Sequence, residues 1–187
     1  YWDITTGTFV APYPSAAPCP AVSALVALYE STYDSSSSTN IWSNYASWMG
    51  NPSSTGDPCT TNWHGVTCSS GEVSGLALAG NKLQGSLPTE IGLLTEMTYN
   101  LLYNNELSGA LPSEFGSLTK LTYMDNPQNE FTGKVPSELG YLTGLTTIVY
   151  HSNDLEGALP TELGQLTQIS KRFAFDGSKL NSTIPSE

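Results

Sequence analysis

The 187 residues hold few groups able to do acid–base or nucleophilic chemistry. There are two histidines, His64 and His151. His151 stands beside Ser152 and near Asp154, the residue types of a hydrolytic triad. A triad needs hydroxyl, imidazole and carboxylate to converge in space. Adjacent residues on one strand point to opposite faces, so these three are expected to diverge, and no catalytic residue is assigned. His64 is expected to be structural. Glu90, Glu114, Glu138 and Glu162 recur at one even spacing and would stack as a column of carboxylates. Such oxygen ligands could take a cation such as Ca²⁺. A solvated face explains the same column, and no metal or other cofactor is assigned. The sequence has no phosphate-binding loop, zinc spacing or EF-hand pattern. Three cysteines, Cys19, Cys59 and Cys68, leave one free or bonded to another chain.

Charge narrows the classes further. Six Lys or Arg against 17 Asp or Glu give a net charge of −11. Nucleic-acid binding is disfavoured, because neutralising phosphates needs a basic footprint. No apolar run reaches the ~18 residues of a membrane span. An acidic chain with low charge density, abundant Ser, Thr, Gly and Pro, and cysteines grouped ahead of the remaining sequence resembles a secreted protein. An extracellular place is expected: secreted, on a cell surface or in a matrix. The chain opens at Tyr1 with neither an initiator Met nor a signal peptide, which reads as a mature form or a fragment.

The elements that position these residues repeat. Asn81-Lys-Leu83-Gln-Gly85-Ser-Leu87-Pro88 recurs as Asn105-Glu-Leu107-Ser-Gly109-Ala-Leu111-Pro112, then from Asn129 to Pro136 and from Asn153 to Pro160. The four copies are evenly spaced. A degraded copy follows from Ser178 to Pro185, one position later than the period would place it. Each copy is preceded by anchors in one phase, such as Val73-x-x-Leu76-x-Leu78 and Leu145-x-x-Ile148-x-Tyr150. The last two anchors lie two residues apart, which is strand alternation. One strand per repeat stacks on the next to form a parallel sheet. The Asn that follows should satisfy backbone groups left unpaired where the chain turns inside the core. Asn100 and Asn126 occupy anchor positions. Either their amides pair with each other across adjacent strands, or the residue there is Leu, which has a similar side-chain shape.

The pattern L-x-G-x-[LIV]-P-x-E-[LIF]-G-x-L-T-x-L closely resembles the plant-type leucine-rich repeats of receptor-kinase ectodomains and polygalacturonase inhibitors. The resemblance implies an α/β solenoid of 24-residue leucine-rich repeats, with a parallel β-sheet on its concave face and a helical N-terminal cap. It runs from about Ser70 to Glu187, and the cap motif extends it upstream through Gly56-Asp57-Pro58-Cys59 and Trp63-His64-Gly65-Val66-Thr67-Cys68. It also implies a disulfide between Cys59 and Cys68. Cys19 is then bonded to another chain or a missing segment, or is a free thiol.

Three segments are expected. Residues 1–19 form an extended arm rich in Pro and aromatics, either a tail or a docking arm. Residues 20–69 form the cap, with helices over Pro20–Tyr33 and Ile41–Met49. Residues 70–187 form the array, which stops mid-repeat without a closing cap, so that a longer chain or another molecule is expected there. Asn181-Ser182-Thr183 is the one glycosylation sequon, making Asn181 a candidate glycan site.

The strand phase places Tyr99, Leu101, Tyr103, Tyr123, Asp125, Val149 and His151 on the concave face. That aromatic, weakly charged patch is the candidate partner surface; stacked tyrosines could equally serve the sheet itself. Two functions are expected. One is a non-catalytic extracellular module that binds a protein, peptide or glycan there. The other is a structural glycoprotein subunit that binds copies of itself in a fibre, through the arm, Cys19 and the uncapped end.

Overall fold

A repeat that cannot bury its apolar face alone must stack on its neighbours. The computed structural model shows that stack; it describes residues 2–3, 8–9, 20–32, 57–61 and 63–180. The expected helix at 41–49 lies outside them, as do Cys19, Asn181 and the last residues of the array.

In the arm, β1 (Trp2–Asp3) pairs antiparallel with β2 (Thr8–Phe9). Helix α1 (Pro20–Thr32) starts on its proline, where a missing N–H is harmless. Ala24, Leu25 and Leu28 are fully buried against the first repeat. The short helix α2 (Pro58–Thr61) is capped by Asp57, whose Oδ1 accepts the Cys59 N–H at 2.8 Å. The Asp-Pro-Cys run thus has a local purpose. Cys59 and Cys68 form a disulfide, with Cα atoms 5.5 Å apart.

From there two sheets run the length of the array. The first contains β3 (Val66–Ser69), β4 (Glu72–Ala77), β6 (Tyr99–Leu101), β8 (Tyr123–Asp125), β10 (Thr147–Val149) and β12 (Arg172–Ala174). Only the β3–β4 pair is antiparallel. Gly75 faces Tyr99, and Tyr99 faces Tyr123, so equivalent positions stand side by side. The second sheet was not expected. It contains β5 (Gln84–Ser86), β7 (Glu106–Ala110), β9 (Glu130–Gly133), β11 (Asp154–Gly157) and β13 (Lys179–Leu180), all parallel. It occupies the Leu-x-Gly stretch, where Gly and Pro suggest only a turn. Gly85 in this sheet has φ +85° and also lets the Ser31 carbonyl at the end of α1 approach its Cα. A side chain there would push the cap helix off the array.

The third side is made of 3-10 turns at Thr89–Leu93, Ser113–Ser117, Ser137–Tyr141 and Thr161–Gln165. Each follows a proline in extended conformation. They explain the Glu-x-Gly spacing. A Cβ on Gly92, Gly116 or Gly140 would fall within 3 Å of the Cβ or carbonyl oxygen of Glu114, Glu138 or Glu162 in the next repeat. The glutamates therefore form the stacking surface for the preceding glycine. Their carboxylates turn aside to accept the neighbouring Thr89, Ser113, Ser137 and Thr161 hydroxyls at 3.2–3.3 Å. Among the described residues no cluster of three His, Cys, Asp or Glu is grouped as metal ligands are.

The turn asparagines act as expected on the backbone. Asn105 Oδ1 accepts from the Asn81 and Leu83 N–H groups, and its Nδ2 donates to the Leu78 and Leu102 carbonyls at 2.8–2.9 Å. Asn129 and Asn153 repeat the arrangement, each tying its own turn to the previous repeat. A threonine series does the same one strand earlier: the Thr98, Thr122 and Thr146 hydroxyls donate to the Ser74, Thr98 and Thr122 carbonyls, each at 3.0 Å.

Asn100 and Asn126 do not pair with each other. Register puts Asn100 level with Leu76 and Met124, one anchor layer away from Asn126. Asn126 is satisfied: its Oδ1 accepts the Leu102 N–H at 3.1 Å and its Nδ2 donates to Tyr150 Oη at 2.9 Å. Asn100 is fully buried, and neither amide atom has a hydrogen-bond partner.

Candidate interaction face

The concave sheet is uneven because β4 and the turn after it carry small residues. Gly75, Ala77, Ala79 and Gly80 precede strands bearing tyrosines. The Tyr99 ring takes advantage of that gap. It lies across Gly75, where an added Cβ would collide with the ring, and its hydroxyl donates to Thr67 Oγ1. The ring is thus held both along its face and at its tip. Tyr123 stands beside it in register, and Tyr103 at the strand end is 41% exposed. Ala77, Tyr99, Leu101, Tyr103, Tyr123 and Asp125 line one shallow concavity of about 510 Å³.

Among the described residues Asp125 is the only carboxylate in that lining. Partial burial raises its pKa above the usual 3.8, while the Arg172 and His151 charges pull it back. Arg172 lies on β12, two strands from Asp125 and level with Thr147 and Tyr123 in register, and His151 follows β10.

Two expectations about this face need correction. Val149 is 1% exposed and Thr147 is 2% exposed, so β10 offers no surface there. Val149 lies between Asp125 and Ala174, and Thr147 between Tyr123 and Arg172, on a strand with neighbours on both sides. Short β-branched side chains in that position do not reach solvent. Second, His151 and Ser152 do not diverge: His151 Nδ1 lies 3.1 Å from Ser152 Oγ. Ser152 has φ +56°, a left-handed turn that abolishes strand alternation. Asp154 is held by Lys179 at 2.9 Å, so it does not complete a relay with His151. His151 remains half-buried at the edge of the face.

The fold is a leucine-rich-repeat solenoid. Its arrangement is of the plant type, shared with receptor-kinase ectodomains. No family model matches the chain. Among solved structures it is similar to a chain of the BIR3–SERK2 complex from Arabidopsis thaliana, at 25% identity over 88% of this chain and 86% of that one, with a TM-score of 0.73. The BIR2 ectodomain from Arabidopsis thaliana shows the same fold at 24% identity, over 87% and 82% of the two chains, with a TM-score of 0.73. The plant peptide hormone receptor RGFR1, solved in complex with RGF2, is 31% identical over 57% of this chain but only 17% of its own, with a TM-score of 0.54.

Proposed function

We propose that the chain is a non-catalytic extracellular interaction module whose concave face binds a protein or peptide. Tyr99, Leu101, Tyr103, Tyr123 and Asp125 form the contact surface, and His151 borders it. The observation that carries this reading is the Tyr99 ring, immobilised across Gly75 and tied to Thr67 beside an open concavity. Rigid aromatic surface loses little conformational entropy on binding, which is why Tyr concentrates in interface cores. Two neighbours in fold support the class of partner: one was solved in the BIR3–SERK2 complex and one with RGF2. The disulfide accords with an oxidising environment. Residues 1–19, 20–69 and 70–187 serve as arm, cap and binding array.

The test is selection of a displayed library of random peptides on the intact, biotinylated chain. Selected peptides should bind the chain and lose at least tenfold in affinity for Tyr103→Ala, an exposed position whose truncation leaves the core intact. Peptides indifferent to Tyr103→Ala and to Tyr123→Ala would place binding elsewhere and sink the proposal.

A further inference from the structure

The concavity has a definite chemistry. Among the described residues it is lined by Ala77, Leu101 and three tyrosines, with the Asp125 carboxylate as its one charge. No Lys or Arg lines it among the described residues. Arg172 on β12 and His151 just past β10 act on Asp125 by charge. Neither makes an ion pair with it among the described residues. The chain as a whole carries a charge of −11, which attracts cations from a distance.

We propose that this concavity receives a lysine or arginine side chain of the bound peptide, with the tyrosine rings against its stem and cation and Asp125 as counter-charge. This rests on the concave-face reading above and specifies the partner's chemistry. A cation over an aromatic face is attracted by the ring's negative quadrupole. The long apolar stem of Lys or Arg suits Leu101 and the ring faces. A carboxylate already partly stripped of water gains more from a new positive neighbour than a fully solvated one does. A neutral or acidic side chain would strip Asp125 of further water and bring no positive charge in return, so the site discriminates by charge.

The experiment uses the same peptide selection on the intact chain. Peptides that depend on Tyr103 are resynthesised with each Lys replaced by Nε-acetyl-lysine and each Arg by citrulline, and are measured against the chain and against Asp125→Asn. One basic residue should prove essential: neutralising it should weaken binding at least tenfold. Asp125→Asn should weaken the parent peptide similarly while leaving the neutralised peptide unchanged. Because Asn matches Asp in shape, its fold is checked directly by thermal unfolding and by the Tyr99 ring resonances. Tyr103-dependent peptides that tolerate neutralisation, or that bind Asp125→Asn as tightly as the parent chain, would overturn the cation site and leave the concave-face reading standing. Peptides with no dependence on Tyr103 or Tyr123 would overturn both.

Discussion

Three buried or half-buried polar residues carry separate energetic arguments. Asn100 has no partner for either amide atom, and an unpaired buried amide costs roughly 1–3 kcal/mol. Asn100→Leu, which restores the anchor type of its neighbours, should therefore raise stability by about 1–3 kcal/mol in denaturant unfolding; a loss would mean that the amide is satisfied. Asn126 gives the opposite case, because Tyr150 Oη accepts from it and in turn donates to Met124 Sδ at 3.1 Å. Burial pushes the Tyr150 hydroxyl well above its usual pKa, so it stays protonated and can keep donating. Tyr150→Phe should cost about 1–3 kcal/mol by orphaning the Asn126 amide. Asn126→Leu combined with Tyr150→Phe should recover part of that loss, and a double-mutant cycle measures the coupling. Asp125 bears on pH. Its folded pKa is raised, so the folded state binds the proton more tightly than the unfolded chain does. Its contribution to stability is then greatest below the unfolded value and falls as pH rises through the folded value. Thermal unfolding of Asp125→Asn should match the parent chain at a pH below the carboxylate range, and equal or exceed it at neutral pH.

At the scale of elements, close stacking is enforced by glycine. Gly116→Ala would set a methyl 2.7 Å from the Glu138 carbonyl oxygen, backbone that cannot swing aside. Overpacking of that kind costs typically about 1–3 kcal/mol, and chemical unfolding should show it. Gly144→Ala, whose added methyl would meet nothing nearer than the Leu121 carbonyl oxygen at 3.8 Å, should lose far less. The strand phase, the turn asparagines and the α1 helix were legible in the sequence because each depends on spacing within one short stretch of chain. The second sheet was not. Its strands are short and lie where Gly and Pro signal a turn, so nothing local marks them. The Glu column was legible as a column but not in its purpose, since the glycine it packs on belongs to the preceding repeat. Val149 and Ser152 misled for related reasons: burial of the first depends on flanking strands, and direction of the second depends on a positive φ.

For the whole molecule, charge sets how a partner arrives. A net charge of −11 with a face of one carboxylate and three tyrosines should make association with a basic peptide faster at low salt. Raising ionic strength from about 20 to about 300 mM shortens the screening length roughly fourfold. It should slow the on-rate more than it speeds dissociation, as stopped-flow mixing would resolve. The disulfide serves the other end of the molecule. It ties α2 to β3, the strand that ends the concave sheet on the cap side, and β3 in turn covers the edge of β4.

The threonine and asparagine bonds have one more consequence. Each joins a position to its counterpart, or to the turn beside it, in the preceding unit, so the connection between units is nearly the same wherever it is made. The array is therefore measured out in interchangeable lengths. Excising 106–129 would splice Asn105 to Glu130 and present these threonine and turn-asparagine donors with acceptors of the same kind. Excising 106–128 would put every later side chain out of phase with the unit beneath it. An array held this way gains or loses reach by whole units without redesigning these recurring bonds.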